Sequence, residues 1–195
     1  MKIGIFGGSF NPPHKMHVNM AQQLINKHYV DKIIYVPTGS KYKYKNNLIA
    51  DEYRYKMLDI ICKKNKNMEV SNYELKDKVV HTYQTLDYFR NKYSKDEIYF
   101  ICGTDNLTYM DKWENGTDIL SYNKILVIKR ETDDYEDILN RLWEYKDNII
   151  LTDIKPYKIS STIIRDMINK GDSNIDNYLD KDVIAYIKEN KLYND

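Results

Sequence analysis

The apolar positions of this chain follow two alternating rhythms. Short continuous runs occur at Ile3-Gly4-Ile5-Phe6, across 32–37, at Ile98-Tyr99-Phe100-Ile101-Cys102, at Ile125-Leu126-Val127-Ile128 and at Ile149-Ile150-Leu151. Their length and β-branched character are those of strands buried on both faces. A looser alternation over 68–73 predicts one more strand. Between the runs the apolar residues recur at helical spacing: Val18, Ala21, Leu24 and Ile25 from about His14, then Tyr53, Met57, Ile60 and Ile61 within 51–64, with Asp51 as the cap. Leu86 and Phe89 mark a helix over 82–93, 135–145 reads as an amphipathic stretch, and after Pro156 two helices follow at 161–170 and 180–190 with no strand between. Strands alternating with helices predict an α/β fold: a doubly wound, mostly parallel sheet with helices on both faces and a helical C-terminal end. No internal repeat and no Gly-, Ser- or Pro-rich linker interrupts it, so a single domain over 1–195 is expected.

Ligands of such sheets collect at the carboxyl ends of the strands, and the first of these carries unusual residues. Lys2 to Met20 reads KIGIFGGSFNPPHKMHVNM: a strand, a glycine turn at Gly7-Gly8-Ser9, the breakers Asn11-Pro12-Pro13, and a helix start. The first N–H groups of a helix lack intrahelical partners and add to the macrodipole to make an anion site. His14 and His17 lie at i and i+3 on the face of that first turn, an arrangement suited to a polyphosphate.

The string GGSFNPPH resembles the (T/H)xxH-type nucleotidyltransferases, and within them the nicotinate and nicotinamide mononucleotide adenylyltransferases. It departs from their commonest form, H-x-G-H, by having Met16 where that Gly stands, as in eukaryotic-type members. A second stretch, Ile159-Ser160-Ser161-Thr162-Ile163-Ile164-Arg165, taken alone is an ordinary N-cap followed by a helical Arg. It also resembles the ISSTxIR signature of the same family, in which hydroxyls, N–H groups and a guanidinium hold phosphate oxygens. The resemblance implies a Rossmann-like fold. It assigns Gly7, Gly8, Ser9, Phe10, His17, Gly103, Asp105, Ser160, Ser161 and Arg165 to ATP, and makes His14, His17 and Arg165 catalytic.

Three further segments extend it. Gly103-Thr104-Asp105-Asn106-Leu107, directly after a strand, is similar to the family's G-(A/T)-D-x-L, although an Asp at a helix start is more often a cap. Trp113 follows; an indole there could be core, but similar members stack a Trp from this region on the pyridine ring, and stacking is the reading preferred here. The loop Gly39 to Asn47, with Lys41, Lys43 and Lys45 interleaved with tyrosines and followed by Leu48-Ile49 and Arg54, resembles the loop whose lysines reach the mononucleotide and ATP phosphates. Lys45 is the choice among the three, and Thr82 aligns with a family Thr near the pyridine. The likeness runs from Lys2 to about Tyr193 and is weakest over 132–148.

Composition narrows the partners. Lys plus Arg number 30 against 29 Asp plus Glu, so no global field draws the chain to nucleic acid or an anionic membrane. No apolar run approaches the ~18 residues of a membrane span and no N-terminal signal pattern is present, which predicts a cytoplasmic protein. Cys62 and Cys102 lack metal or redox spacing and read as buried free thiols. The implied reaction is adenylyl transfer from ATP to a pyridine mononucleotide. Mg²⁺ would be held mainly by phosphates and water, with no metal cage from the protein. Two alternatives stay open: transfer to another acceptor such as pantetheine phosphate or flavin mononucleotide, and a nucleotide-binding regulator without turnover.

Overall fold

The computed structural model describes residues 1–41, 48–129, 135–156 and 159–194. Six strands, β1 Lys2–Gly8, β2 Lys32–Pro37, β3 Met68–Val70, β4 Glu97–Gly103, β5 Lys124–Ile128 and β6 Ile149–Thr152, form one sheet in the order β3-β2-β1-β4-β5-β6. Every pairing is parallel, with Ile5 beside both Ile34 and Phe100. This is the doubly wound Rossmann-like order, whose direction of travel reverses between β1 and β4.

Two-faced burial follows from the strand period of two. Ile3, Ile5, Phe100, Cys102, Ile125 and Val127 join one core with Leu86 and Phe89 of α3 (Thr82–Lys92) and Ile119 and Leu120 of α5 (Gly116–Tyr122). Phe6, Tyr35, Tyr99, Ile101 and Leu126 point the other way, against Ala21 and Leu24 of α1 (Lys15–Asn26) and Leu58 of α2 (Asp51–Cys62). A third cluster lies outside the sheet: Met57 and Ile61 of α2 meet Ile164 of α7 (Ser161–Asn169) and Val183, Ile184 and Ile187 of α8 (Lys181–Glu189). The helical C-terminal end thus covers α2, and among the described residues it adds no strand.

Several local expectations need correction. Gly7 and Gly8 are not a turn but the last two residues of β1; they pair with Val36 and Pro37, and the break begins at Ser9. Asp51 is the first helical residue of α2 and not its cap, which is Ala50; its carboxylate instead accepts from the Ser40 amide at 3.0 Å. The strand expected over 68–73 stops at Val70. The stretch 135–145 divides into α6 (Tyr135–Arg141) and a 3₁₀ turn, Trp143–Asn148. α4 (Thr104–Leu107), the 3₁₀ turn Met110–Lys112 and α5 fill the segment between β4 and β5. Cys102 is buried as expected, whereas Cys62 is only partly so, and both are free thiols. Among the described residues no helix is long and apolar enough to cross a membrane.

Candidate active site

At the carboxyl end of β1 the chain turns sharply. Phe10 takes a left-handed backbone, φ 47°, and its ring is buried against Phe6, Tyr35 and His17, with centroids 5.9, 5.5 and 5.0 Å away. A bulky residue at positive φ is costly and is held here by its packing. Gly8 is required by the same ring: a Cβ there would lie 3.1 Å from Phe10, whereas Gly7 has no protein atom closer than 3.9 Å. Phe10 therefore serves the site through the path of its backbone, since its side chain is core.

The loop is fastened from three sides. Arg54, fully buried, donates from Nη1 to the Ser9 carbonyl at 2.8 Å, from Nε to Ile49 at 3.2 Å and from Nη2 to Asp51 at 2.5 Å. Ser161 Oγ donates to the Pro12 carbonyl at 2.9 Å, and Arg165 Nη1 to the Asn11 carbonyl at 2.8 Å. Tyr193 donates its hydroxyl to Asn11 Oδ1 at 2.9 Å. The two signature stretches, about 150 residues apart, are thereby joined by direct hydrogen bonds. Ser160 is the N-cap of α7 and accepts from the Ile163 amide at 3.3 Å, so the N-cap reading of the Ser-Ser pair holds for Ser160, while Ser161 ties α7 to the first signature loop.

His14 is the N-cap of α1 and His17 its third residue; their rings stack at 3.7 Å. The His14 amide donates to His17 Nδ1 at 3.1 Å, which makes Nδ1 an acceptor and leaves the proton of the neutral ring on Nε2. Burial holds His14 down to about 4, and burial together with the neighbouring His14 holds His17 well below its ordinary value. Both imidazoles are neutral near pH 7 when no anion faces them, so His17 presents an N–H donor and not a fixed charge.

β4, adjacent to β1, delivers the next group. Gly103 ends the strand and is the N-cap of α4, which leaves Asp105 as an exposed residue of the first turn. Asp105 is therefore not the N-cap, and among the described residues no side chain caps α4. Trp113 terminates the Met110–Lys112 turn, its amide bonded to the Met110 carbonyl at 3.1 Å and its ring packed edge-on against Phe100 at 6.4 Å. It is half-buried, so one part packs on the core and another remains open. Thr82 reaches the same end of the sheet by topology, as the first residue of α3. Glu114 is exposed. Lys45 falls outside the described residues, and among those residues no group of three His, Cys, Asp or Glu is placed to hold a metal ion.

The sequence marks neither Asn11 nor Tyr193 as a site component, since Asn11 reads as a break in regular structure and Tyr193 as part of the C-terminal stretch. Arg54 reads as an adjunct of the lysine loop, whereas the structure makes it the buried tether of the turn after β1.

Comparison with known proteins places this geometry. The cytidylyltransferase-like family model matches residues 5–167, spanning both signatures. A relative from Clostridium acetobutylicum, named "Probable nicotinate-nucleotide adenylyltransferase", is 37% identical over 198 residues covering 98% of each chain, and one of the same name from Clostridium novyi is 34% identical with the same coverage. Among solved structures, the Plasmodium falciparum nicotinic acid mononucleotide adenylyltransferase complexed with NaAD superposes with a TM-score of 0.82 at 22% identity, covering 98% of this chain and 97% of that one. The order of the sheet, the joined signatures and full-length identity above one third lead to one assignment: the chain belongs to the nicotinate-nucleotide adenylyltransferases of the cytidylyltransferase-like family.

Proposed function

We propose that this chain, acting as a single domain over 1–195 in the cytoplasm, transfers the adenylyl group of ATP to nicotinate mononucleotide. A phosphate oxygen of the mononucleotide attacks the α-phosphorus of ATP, an O–P bond forms, and the bond to pyrophosphate breaks; no side chain becomes covalent. Catalysis of such a step is positioning plus neutralisation of charge on phosphoryl oxygens. The observation that carries the reading is the pair of bonds from Ser161 and Arg165 to Pro12 and Asn11, which gathers hydroxyl, guanidinium, two imidazoles and the α1 amino terminus around one turn.

In this reading Gly7, Gly8, Ser9, the Phe10 backbone, His17, Gly103, Asp105, Ser160, Ser161 and Arg165 contact ATP, while Lys45, Thr82 and Trp113 serve the mononucleotide. His14, His17 and Arg165 act on the reacting phosphates. His17 donates from Nε2, and a triphosphate approaching the stacked rings raises their proton affinity. The donor set of N–H, hydroxyl and guanidinium groups suits phosphate oxygens, not a cation. Mg²⁺ therefore fits as an ion carried on the triphosphate and water, where it offsets the negative charge of the phosphoryl oxygens.

The decisive experiment offers purified protein, ATP and Mg²⁺ to a panel of phosphorylated acceptors: both pyridine mononucleotides, pantetheine phosphate and flavin mononucleotide. Release of pyrophosphate with formation of the nicotinate dinucleotide is the expected result. Turnover with a non-pyridine acceptor alone would overturn the substrate, and nucleotide binding without pyrophosphate release from any acceptor would overturn the activity.

A further inference from the structure

The segment that presents Trp113 is made of short pieces. α4 has four residues and the turn before Trp113 three, too few to be stable as isolated helices, so their shape depends on what they touch. Three contacts stand out. Gly116 sits against the carbonyl of Met110, where a Cβ would come within 1.9 Å, and its amide bonds the Trp113 carbonyl at 2.9 Å, with Asn115 left-handed at φ 52° between them. Phe100 backs the indole. The third contact comes from another part of the chain: Arg141, the last residue of α6, donates from Nη1 to Asp111 Oδ2 at 2.6 Å and from Nη2 to the Thr108 carbonyl at 2.5 Å.

We infer that Arg141 is a positioning residue for the acceptor subsite, clamping the 108–111 backbone so that Trp113 stays fixed for the pyridine ring. The inference rests on the proposed stacking role of Trp113. A guanidinium has a rigid planar fork, and both arms of this one are committed to a single loop three to four residues wide. Asp111 has a reason to stay in place only while Arg141 is there. Its Oδ1 is buried and has no hydrogen-bond partner among the described residues, so the carboxylate's charge is answered through Oδ2 by Arg141. With Arg141 removed, a half-buried carboxylate gains by turning out to water, and Asp111 carries the 3₁₀ turn and the adjoining Trp113 with it. Arg141 touches neither the histidines nor the α7 signature in any bond described here, so its loss should be felt by the acceptor and not by ATP.

The test compares Arg141→Met and Arg141→Lys in a Trp143→Phe background. The chain has two tryptophans, and Trp143 is an exposed ring outside the site, so this background makes Trp113 the sole indole emitter. The expected results for Arg141→Met are a rise in KM for nicotinate mononucleotide of ~5-fold or more, as loosening of a site-bearing loop produces, an ATP KM within about 2-fold of the background, and stronger acrylamide quenching of Trp113 in the free protein. Arg141→Lys, which keeps the charge but loses the fork, should recover part of both effects. Unchanged quenching with unchanged mononucleotide KM would overturn the inference, as would an equal rise in both KM values, which marks general loss of structure. If the parent protein turns over no pyridine mononucleotide, the stacking role fails, and that outcome is separate because the quenching experiment needs no substrate. Quenching that shifts while KM does not would also overturn the assignment, since the loop would then move without consequence for the acceptor.

Discussion

The two halves of the site are held by different kinds of force. Around the α1 amino terminus, the fully buried Arg54, the Ser161 hydroxyl and Arg165 donate to backbone carbonyls of one loop, the Tyr193 hydroxyl donates to the buried Asn11 side chain, and the tethers come from residues as much as 182 positions away. Around Trp113 the chain is folded by short turns and by the Arg141–Asp111 pair, whose side chains are 40% and 26% exposed. Each buried bond in the first region adds roughly 1 kcal/mol and strands a desolvated partner if removed. An exposed pair adds between nothing and about 1 kcal/mol. The phosphate half should therefore behave as part of the fold, and the acceptor half as an adjustable attachment to it.

The largest test of that contrast is Arg54→Met. Removing a buried charge from three acceptors, one of them Asp51, should lower stability by about 3 kcal/mol, read as the shift of a urea midpoint at constant slope. A loss below about 1 kcal/mol would place Arg54 with the surface pairs and end the distinction. His17→Ala comes next. In the proposed reaction it removes a donor to developing charge, so kcat should fall by ~10²-fold, about 2.7 kcal/mol, while the urea midpoint moves little. A near-normal rate would make His17 a piece of helix packing.

Acid sensitivity should also separate the halves. His14 is neutral in the folded protein down to about 4, against 6.5 when unfolded, and His17 is shifted the same way. The unfolded chain therefore binds more protons as pH falls below 6.5, and stability is lost between 6.5 and 4, on the order of 2 kcal/mol from His14. Glu74 acts in the opposite sense. Burial raises it to about 7 despite the Thr85 hydroxyl that donates to it at 2.7 Å, so the folded protein binds its proton more tightly and stability declines as pH rises from about 4.5 to 7. With two histidines against one carboxyl, the net slope below 6.5 should favour higher pH. His14→Gln should flatten the acid limb of a stability-versus-pH curve and Glu74→Gln should steepen it; equal curves for all three proteins would show that these groups do not titrate with folding.

The smallest effect is expected at Glu114. Its carboxylate is exposed beside Trp113, so its repulsion of a nicotinate carboxylate is screened and is worth about 1 kcal/mol or less. Nicotinate mononucleotide should be preferred over the amide by a modest margin in kcat/KM, and Glu114→Gln should widen the ratio a few-fold at most. An amide preference in the parent protein would reverse the substrate assignment, and an unchanged ratio would remove Glu114 from it.

The same contrast decided what could be read from sequence. The alternation of strands and helices, the burial of both sheet faces and the two signature stretches were legible because each depends on local pattern: runs of Ile and Val, turn residues, hydroxyls before an apolar helix face. Gly7 and Gly8 misled because a glycine pair marks a turn in most contexts, and here hydrogen bonding to β2 carries the strand through them. α5 escaped notice because Asn115-Gly116 reads as a turn. It is one, with the helix starting on its second residue at a place where no side chain would fit against Met110. The tether of Arg54 to Ser9 and the clamp of Arg141 on Asp111 could not be read from sequence, since these acceptors lie 45 and 30 residues away and appear only once the chain is folded.

The bond from Tyr193 to Asn11 has a consequence for synthesis. Asn11 is made 182 residues before Tyr193, whose hydroxyl its buried side-chain oxygen receives. At ~5–20 residues per second the turn of the first signature waits about 10–40 s for its partner, during which β1, α1 and β2 can already pair. A nascent chain on the ribosome thus holds the turn of the first signature without its final tether, and, if that turn receives ATP as proposed, full affinity for ATP should emerge only after Tyr193 has cleared the exit tunnel.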